Sequence, residues 1–219
     1  MDGRYLESGD IKSIILQIKR IVDQQKETLT MLDSVMGDGD LGITMSRAFH
    51  AASEESEKSD EKIPGKLLIR LGMAIAKAAP STMGTLVATG FIKGGKSIEV
   101  TGQIGTRELA TFFENFVSSI MERGKSVPGN KTIIDTVNPA AKALRMGANE
   151  NSSLLEAISA ARSAAKKGLE DSTRMKAQHG RAAYYQDDSI GKQDGGATVG
   201  TFIVEGFYLH IESMHHQIG

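Results

Sequence analysis

Apolar residues recur with a period of 3.6 along most of this chain, and that repeat constrains its fold more than any other feature. Ile11, Ile14, Ile15, Ile18 and Val22 follow the i, i+3, i+4, i+7 spacing of one helix face, with Ser8 as the expected cap. Leu109, Phe112, Phe113, Phe116, Val117, Ile120 and Met121 repeat the pattern more densely. Leu154, Leu155, Ile158, Ala161, Ala165 and Leu169 form a third stripe, whose alanines let neighbouring helices approach closely. Near the C-terminal end, Thr198, Thr201, Phe202, Glu205, Tyr208, Ile211 and His215 make a looser stripe. Further helices are expected over 42–57, 65–79, 84–93 and 131–147, with Pro64 at a helix start and Pro139 beginning or kinking another. No stretch alternates as a half-buried strand does; Ser97–Thr101 is the best strand candidate, and it is short. The expected fold is all-α, one domain over residues 1–219, a bundle or barrel of about eight amphipathic helices joined by Gly-rich loops.

Composition removes several function classes. The 26 basic and 27 acidic residues leave a net charge of −1, against the basic face that phosphate neutralisation on nucleic acid requires. With no Cys there is no disulfide scaffold, zinc-thiolate site or Cys nucleophile, which suits a reducing compartment. No apolar run is long enough to span a membrane, and the first residues do not read as a secretory signal, so a cytoplasmic location is expected. The five His residues are scattered, outside any HExxH pattern, and read as surface or structural groups. The 24 Gly stand out beside only 4 Pro, and imply either partial disorder or many backbone turns made for a purpose.

The sharpest segment is Leu32-Asp33-Ser34-Val35-Met36-Gly37-Asp38-Gly39-Asp40-Leu41-Gly42-Ile43-Thr44-Met45. Hard cations such as Mg²⁺ take closely grouped oxygen ligands and keep positions open for water and phosphate. Glycines would let the backbone fold tightly enough for Asp33, Asp38 and Asp40 to converge, and the following helix N-terminus would add N–H donors for an anion. A polar turn with Asp40 as a helix N-cap fits the same spacing equally well. An EF-hand does not fit, because Gly42 takes the fifth loop position and no Glu takes the twelfth.

Gly90 to Ser97 matches the P-loop pattern literally, but a P-loop needs a strand before it and a helix after it, and neither reads here. A helix C-terminus with solvated lysines is the better account. Two other polar segments enter helices: Gly124 to Asp135, and Gly180 to Ala197 with Arg181 and an Asp194-Gly195-Gly196 ending. Arg181 has the fork geometry to pair with phosphate oxygens, although a surface Arg and an ordinary N-cap at Asp194 explain the residues singly.

Together these segments resemble one family, the nucleotide-binding L subunits of dihydroxyacetone kinases. The resemblance rests on Leu32-Asp33 … Gly37-Asp38-Gly39-Asp40 … Gly42 … Met45-Ser46-Arg47, on Ser81–Leu86, on Gly124 … Gly129-Asn130-Lys131-Thr132 … Asp135, and on Gly180-Arg181-Ala182 … Gly191 … Gln193 to Thr198. It covers nearly the whole chain. It implies a barrel of about eight antiparallel helices with nucleotide held by loops at one end.

By the resemblance, Asp33, Asp38 and Asp40 would hold Mg²⁺, two ions, bridging the phosphates of ADP or ATP. Leu41, Gly42, Ile43, Thr44, Thr82 and Met83 would meet those phosphates, largely through backbone N–H groups. Gly124 and Ile133 would flank the adenine, and Arg181, Asp194, Gly195 and Gly196 would close the pocket, with Arg181 the catalytic candidate.

The family passes a phosphoryl group to dihydroxyacetone held by a separate K subunit; in phosphotransferase-system versions a phosphocarrier M subunit recharges bound ADP. The resemblance thus implies a kinase subunit in a homodimer or hetero-oligomer, with no nucleic-acid or membrane partner. Leu41 and Thr44 replace the family's usual His and Asn, and Pro80-Ser81-Thr82-Met83-Gly84-Thr85 replaces a Gly/Ser-rich loop. Those departures keep two alternatives open: a kinase subunit for another small ketose, and a regulatory or docking paralogue that binds Mg-nucleotide.

Overall fold

The computed structural model describes residues 5–216. These form nine α-helices and a 3₁₀ segment: α1 (Ser8–Gln24), α2 (Lys26–Met36), α3 (Leu41–Lys58), α4 (Pro64–Ala78), α5 (Thr82–Ser97), α6 (Thr106–Gly124), α7 (Ile134–Asn149), α8 (Leu154–Ser172), the 3₁₀ segment Arg181–Ser189, and α9 (Gly195–His216). No strand occurs among the described residues; an isolated antiparallel bridge joins Leu6 to Ile104. Ser97–Thr101, the strand candidate, is the last residue of α5 followed by turns. No described helix is long and apolar enough to cross a membrane.

Eight of the helices close into a ring. Each packs on the next in the order α1, α3, α4, α5, α6, α7, α8, α9, and α9 returns to α1. Neighbours run antiparallel, so the ring has two rims. At one rim the start of α1 meets the end of α9, where the Asp10 carboxylate and His210 Nε2 lie 2.9 Å apart. The Leu6–Ile104 bridge and the 3.1 Å bond from Thr106 Oγ1 to the Ser152 carbonyl lie at that rim too. The opposite rim carries the starts of α3, α5, α7 and α9 and the ends of α4, α6 and α8.

The inside of the ring is filled by the dense stripe on α6 and the residues facing it. Phe112, Phe113 and Phe116 interlock with Phe91 of α5 and Phe207 of α9, and Phe49 of α3 meets Phe91 edge-on at 6.3 Å. All six rings are fully buried. Burying one such side chain contributes about 1.5–3 kcal/mol, and edge-to-face pairing adds to it. The glycines of the P-loop look-alike belong to this packing: a Cβ on Gly90 would lie 2.6 Å from the Phe116 ring, and one on Gly94 2.7 Å from Phe112. That motif lies inside α5 and is not a phosphate loop.

Local signals set most helix ends. Pro64 occupies the first turn of α4, and Ser153 caps α8 with Glu156 completing the capping box. Ser8 is the first residue of α1 rather than its cap; the cap position is Glu7, whose N–H donates to Asp10 at 2.7 Å. On α9 the inward stripe is Val199, Ile203, Val204, Phe207 and Ile211. Phe202, Glu205 and Tyr208, expected in that stripe, are only half-buried; Phe202 and Tyr208 pack against the edge of the core, and Arg162 of α8 pairs with Glu205 and lies over the Tyr208 ring. The ring leaves one helix out: α2 stands outside it against α3, burying only Leu29 and Met36.

Candidate functional site

The outlying helix α2 carries one carboxylate to the rim. Asp33 lies on its last turns, and Gly37 to Asp40 then reverse the chain into α3, with Gly39 in the left-handed region at φ 74°. Gly37 passes so close to Asp33 that a Cβ there would lie 2.7 Å from the Asp33 carbonyl oxygen. Asp33 Oδ2 accepts the backbone N–H of Asp40 at 2.9 Å and of Leu41 at 3.2 Å. Asp40 occupies the N-cap position of α3, but its side chain makes no capping bond. The capping duty that the polar-turn alternative gives Asp40 is carried by Asp33, which leaves the Asp40 carboxylate uncommitted to backbone.

Asp33, Asp38 and Asp40 each offer an oxygen within 4.8 Å of the others. Three carboxylates this close repel one another. Partial burial raises the pKa of Asp40 above the ordinary carboxylate value, and the Asp38 and Asp33 charges raise it further. Arg181 offsets part of the charge, its Nη2 lying 2.7 Å from Asp38 Oδ2. An all-oxygen, anionic and half-exposed cluster fits a hard divalent cation such as Mg²⁺.

Three helix N-termini meet around the cluster: α3 at Leu41, α5 at Thr82 and α9 at Gly195. A Cβ on Gly195 would lie 2.6 Å from Leu41 Cδ2, and one on Gly196 would lie 2.7 Å from Met83 Cε and 3.3 Å from the Ile133 nitrogen. The ends of these helices present unpaired N–H groups and partial positive charge, the condition for binding an anion. Ser81 caps α5 by accepting the Gly84 N–H at 3.0 Å, and Asp194 holds the Ala197 N–H at 2.7 Å at the start of α9. Burial pushes the Asp194 carboxyl up to about 6, against the opposing pull of the Ala197 N–H and Lys131.

Of the residues singled out in the sequence, Asp33, Asp38, Asp40 and Arg181 form one cluster, and Leu41, Met83, Ile133, Asp194, Gly195 and Gly196 form a second beside it. Ile43 and Thr82 are exposed at the rim and Thr44 is half-buried one turn into α3, whereas Gly42 is buried against the Lys26 carbonyl. Gly124 ends α6 on the same rim, beside Leu86 and Ser126. The Ile133 side chain is buried in the core, so only its backbone borders the rim. Sequence reasoning assigned no role to Asp135 or Lys131. Asp135 holds the loop before α7, accepting the N–H of Gly129 at 2.6 Å and of Thr132 at 2.7 Å. Lys131 donates to the carbonyls of Ser172 at 2.9 Å and Lys192 at 2.6 Å. Both stand in the motif Asn130-Lys131-Thr132 … Asp135, which was their only signal.

The sequence model of the DAK2 domain matches residues 35–209. The chain belongs to the DAK2 domain family. It is 32% identical, over 84% of its length and 88% of the relative's, to the ADP-binding subunit DhaL of the PEP-dependent dihydroxyacetone kinase of Escherichia coli strain K12. The ADP-binding subunit DhaL of PEP-dependent dihydroxyacetone kinase 1 from Listeria innocua is also 32% identical, over 80% of this chain and 83% of that one. Among solved structures, the dihydroxyacetone kinase from C. freundii in complex with AMP-PNP and Mg²⁺ matches 91% of this chain with a TM-score of 0.69 and 20% identity. This chain spans 33% of that kinase chain. The likeness shows a shared helical fold. The family resemblance and the fold class expected from the sequence are both borne out.

Proposed function

We propose that this DAK2-family chain is the nucleotide- and Mg²⁺-binding subunit of a multi-subunit kinase for dihydroxyacetone or a similarly small ketose. Its partners are a K-type subunit that holds the ketose and an M-type phosphocarrier that recharges bound ADP. The observation that carries this reading is the meeting of three carboxylates with the N-termini of α3, α5 and α9 on one rim. Similarity to DhaL subunits over most of the length of both chains supports it.

In this reading Asp33, Asp38 and Asp40 hold two Mg²⁺ ions, which when bound neutralise phosphate charge. Within Leu41–Thr44 the end N–H groups are already donated to Asp33 and the Asp40 carbonyl. Gly42 and Ile43, with Thr82 and Met83, therefore present N–H groups to the phosphates, with no side-chain chemistry required. Gly124 and the Ile133 backbone flank the adenine, and Asp194 to Gly196 close the pocket. Arg181 stands on the cluster's open side and brings a guanidinium to charge developing on the transferred group. Phosphoryl transfer needs little more from a protein than such positioning and charge neutralisation.

A second reading, a regulatory paralogue that binds Mg-nucleotide without transferring phosphate, is favoured by Leu41. Its side chain is buried at the start of α9, where it offers no polar group. Native mass spectrometry of the purified chain with ADP and Mg²⁺ tests what both readings share. Retained ADP with Mg²⁺ is expected, and its loss in Asp38→Ala; no nucleotide bound under any Mg²⁺ concentration sinks both. Phosphoryl transfer to dihydroxyacetone, reconstituted with K-type and M-type subunits, then separates kinase from regulator.

A further inference from the structure

Lys131 is a buried cation that the proposed chemistry does not use. It is 2% exposed and sits in the left-handed backbone region, with φ 60°. Its ammonium donates to the carbonyls of Ser172, Thr173 and Lys192, at 2.9, 3.4 and 2.6 Å. Ser172 and Thr173 end α8, and Lys192 stands just before α9. One side chain therefore closes both ends of the strap 173–194 onto the loop that precedes α7.

The strap's other attachments follow the same line. The Gly191 N–H donates to the Thr173 carbonyl at 2.7 Å, and the Gln178 N–H donates to the Asn130 carbonyl at 3.2 Å. The Ala177 N–H donates to the buried Ser189 hydroxyl at 2.9 Å. Between these anchors the 3₁₀ segment is largely exposed and broken at Gln186, where φ is 49°. It carries no core of its own, so its position depends on the anchors. Arg181 projects from it to Asp38, and Asp194 ends it.

We propose that Lys131 is a positioning residue: through three carbonyls it fixes the strap that sets Arg181 and Asp194 over the nucleotide rim. It touches neither metal ligands nor phosphate. Burial lowers its pKa, opposed by the nearby Asp194 and Asp135 charges. The Ser172 and Thr173 carbonyls also accept the Met175 and Gly191 N–H groups, but no other donor among the described residues reaches the Lys192 carbonyl. Removing the ammonium leaves that carbonyl with the desolvation cost and should free the strap at its α9 end. The link to nucleotide rests on the function proposed above; the link to the strap does not.

The test uses the full chain with Lys131→Met, which keeps the stem and removes the charge, and Lys131→Arg, which restores donors. Lys131→Gln, with two N–H donors, is the further variant should the Met variant be insoluble. Hydrogen exchange is read first, without nucleotide. Residues 173–194 should exchange roughly tenfold faster in Lys131→Met, with α1, α4 and α6 unchanged and Lys131→Arg nearer the parent. Unchanged exchange across 173–194 overturns the proposal. Mg-ADP affinity is read second. A fall of roughly tenfold is expected in Lys131→Met, and Lys131→Met should cost clearly less in an Arg181→Ala background than in the parent, the remainder passing through Asp194. A loosened strap with parental affinity, or full additivity in the double variant, overturns the positioning role. If the parent binds no Mg-ADP, the nucleotide reading has failed, and the exchange result alone judges the strap.

Discussion

The Asp33 carboxylate lies 2.9 Å from the backbone nitrogen of Asp40 and so caps α3 from the helix before it. One oxygen is committed to that cap, which orients the residue while its charge stays within the acidic cluster. Capping and metal binding separate on substitution. Asp33→Asn keeps an acceptor for the cap and should hold stability within about 0.5 kcal/mol, while Asp33→Ala should lose about 1 kcal/mol. Both should lose Mg²⁺-dependent ADP binding. Urea denaturation and calorimetric titration check the two halves, and ADP bound normally by Asp33→Asn would remove Asp33 from the metal set.

Arg181 and Asp38 are 65% and 44% exposed, so their ion pair contributes little to folding. Arg181→Ala should melt within a degree or two of the parent. Phosphoryl transfer in the reconstituted system should fall by about a hundredfold, the usual cost of losing one charge-stabilising donor. A large drop in melting temperature with intact turnover would reverse the assignment.

Gly42 lets α3 lie directly on the start of α2: a Cβ there would collide with the Lys26 carbonyl and the Thr30 hydroxyl. Gly42→Ala should cost about 1–3 kcal/mol by overpacking. It should also weaken Mg²⁺ binding, because α2 must move and Asp33 moves with it. Gly102→Ala, where no atom lies within 4 Å, is the control and should change neither. Chemical denaturation of both variants, with Mg²⁺ titration, decides this.

Asp194 gives the site a pH signature. Its carboxyl is pushed up to about 6 from an ordinary 3.8, so between those values the folded chain binds more protons than the unfolded one. That contribution to stability is full below about pH 4 and is lost as pH rises through about 6. Asp194→Asn keeps an acceptor for the Ala197 N–H and removes the titration. The parent and variant should have matching urea midpoints near pH 4, and the variant should be the more stable at pH 7.5. A constant gap across that range would mean Asp194 titrates as an ordinary carboxylate.

The helices that form the ring were legible because each buries a full stripe; α6, with its run of phenylalanines, is the plainest case. Helix α2 was not legible, because a helix outside the ring buries only Leu29 and Met36 and leaves no repeat to read. Asp33 therefore carried no helix expectation, although its convergence with Asp38 and Asp40 was expected and is present. The P-loop look-alike shows the reverse error that pattern matching invites, since its glycines admit phenylalanine rings and not phosphate. Leu41, Met83 and the Asp194 to Gly196 turn were placed by family resemblance, and the structure brings them together. The Lys131 cradle was beyond reach: three carbonyls from distant segments carry no sequence identity, and a lysine in a polar loop reads as solvated.

A ring of eight alternating staves has an even number of members, so the first and last lie antiparallel and both outer ends fall on the rim away from the Asp cluster. The Asp10–His210 pair shows how close those ends are. The backbone order of the staves is therefore partly arbitrary. A circular permutant that joins the end of α9 to the start of α1 by a short linker, and opens between α7 and α8 at 150–153, would keep every stave beside its present neighbours. It would also leave the acidic cluster, the strap and all three converging helix starts covalently untouched.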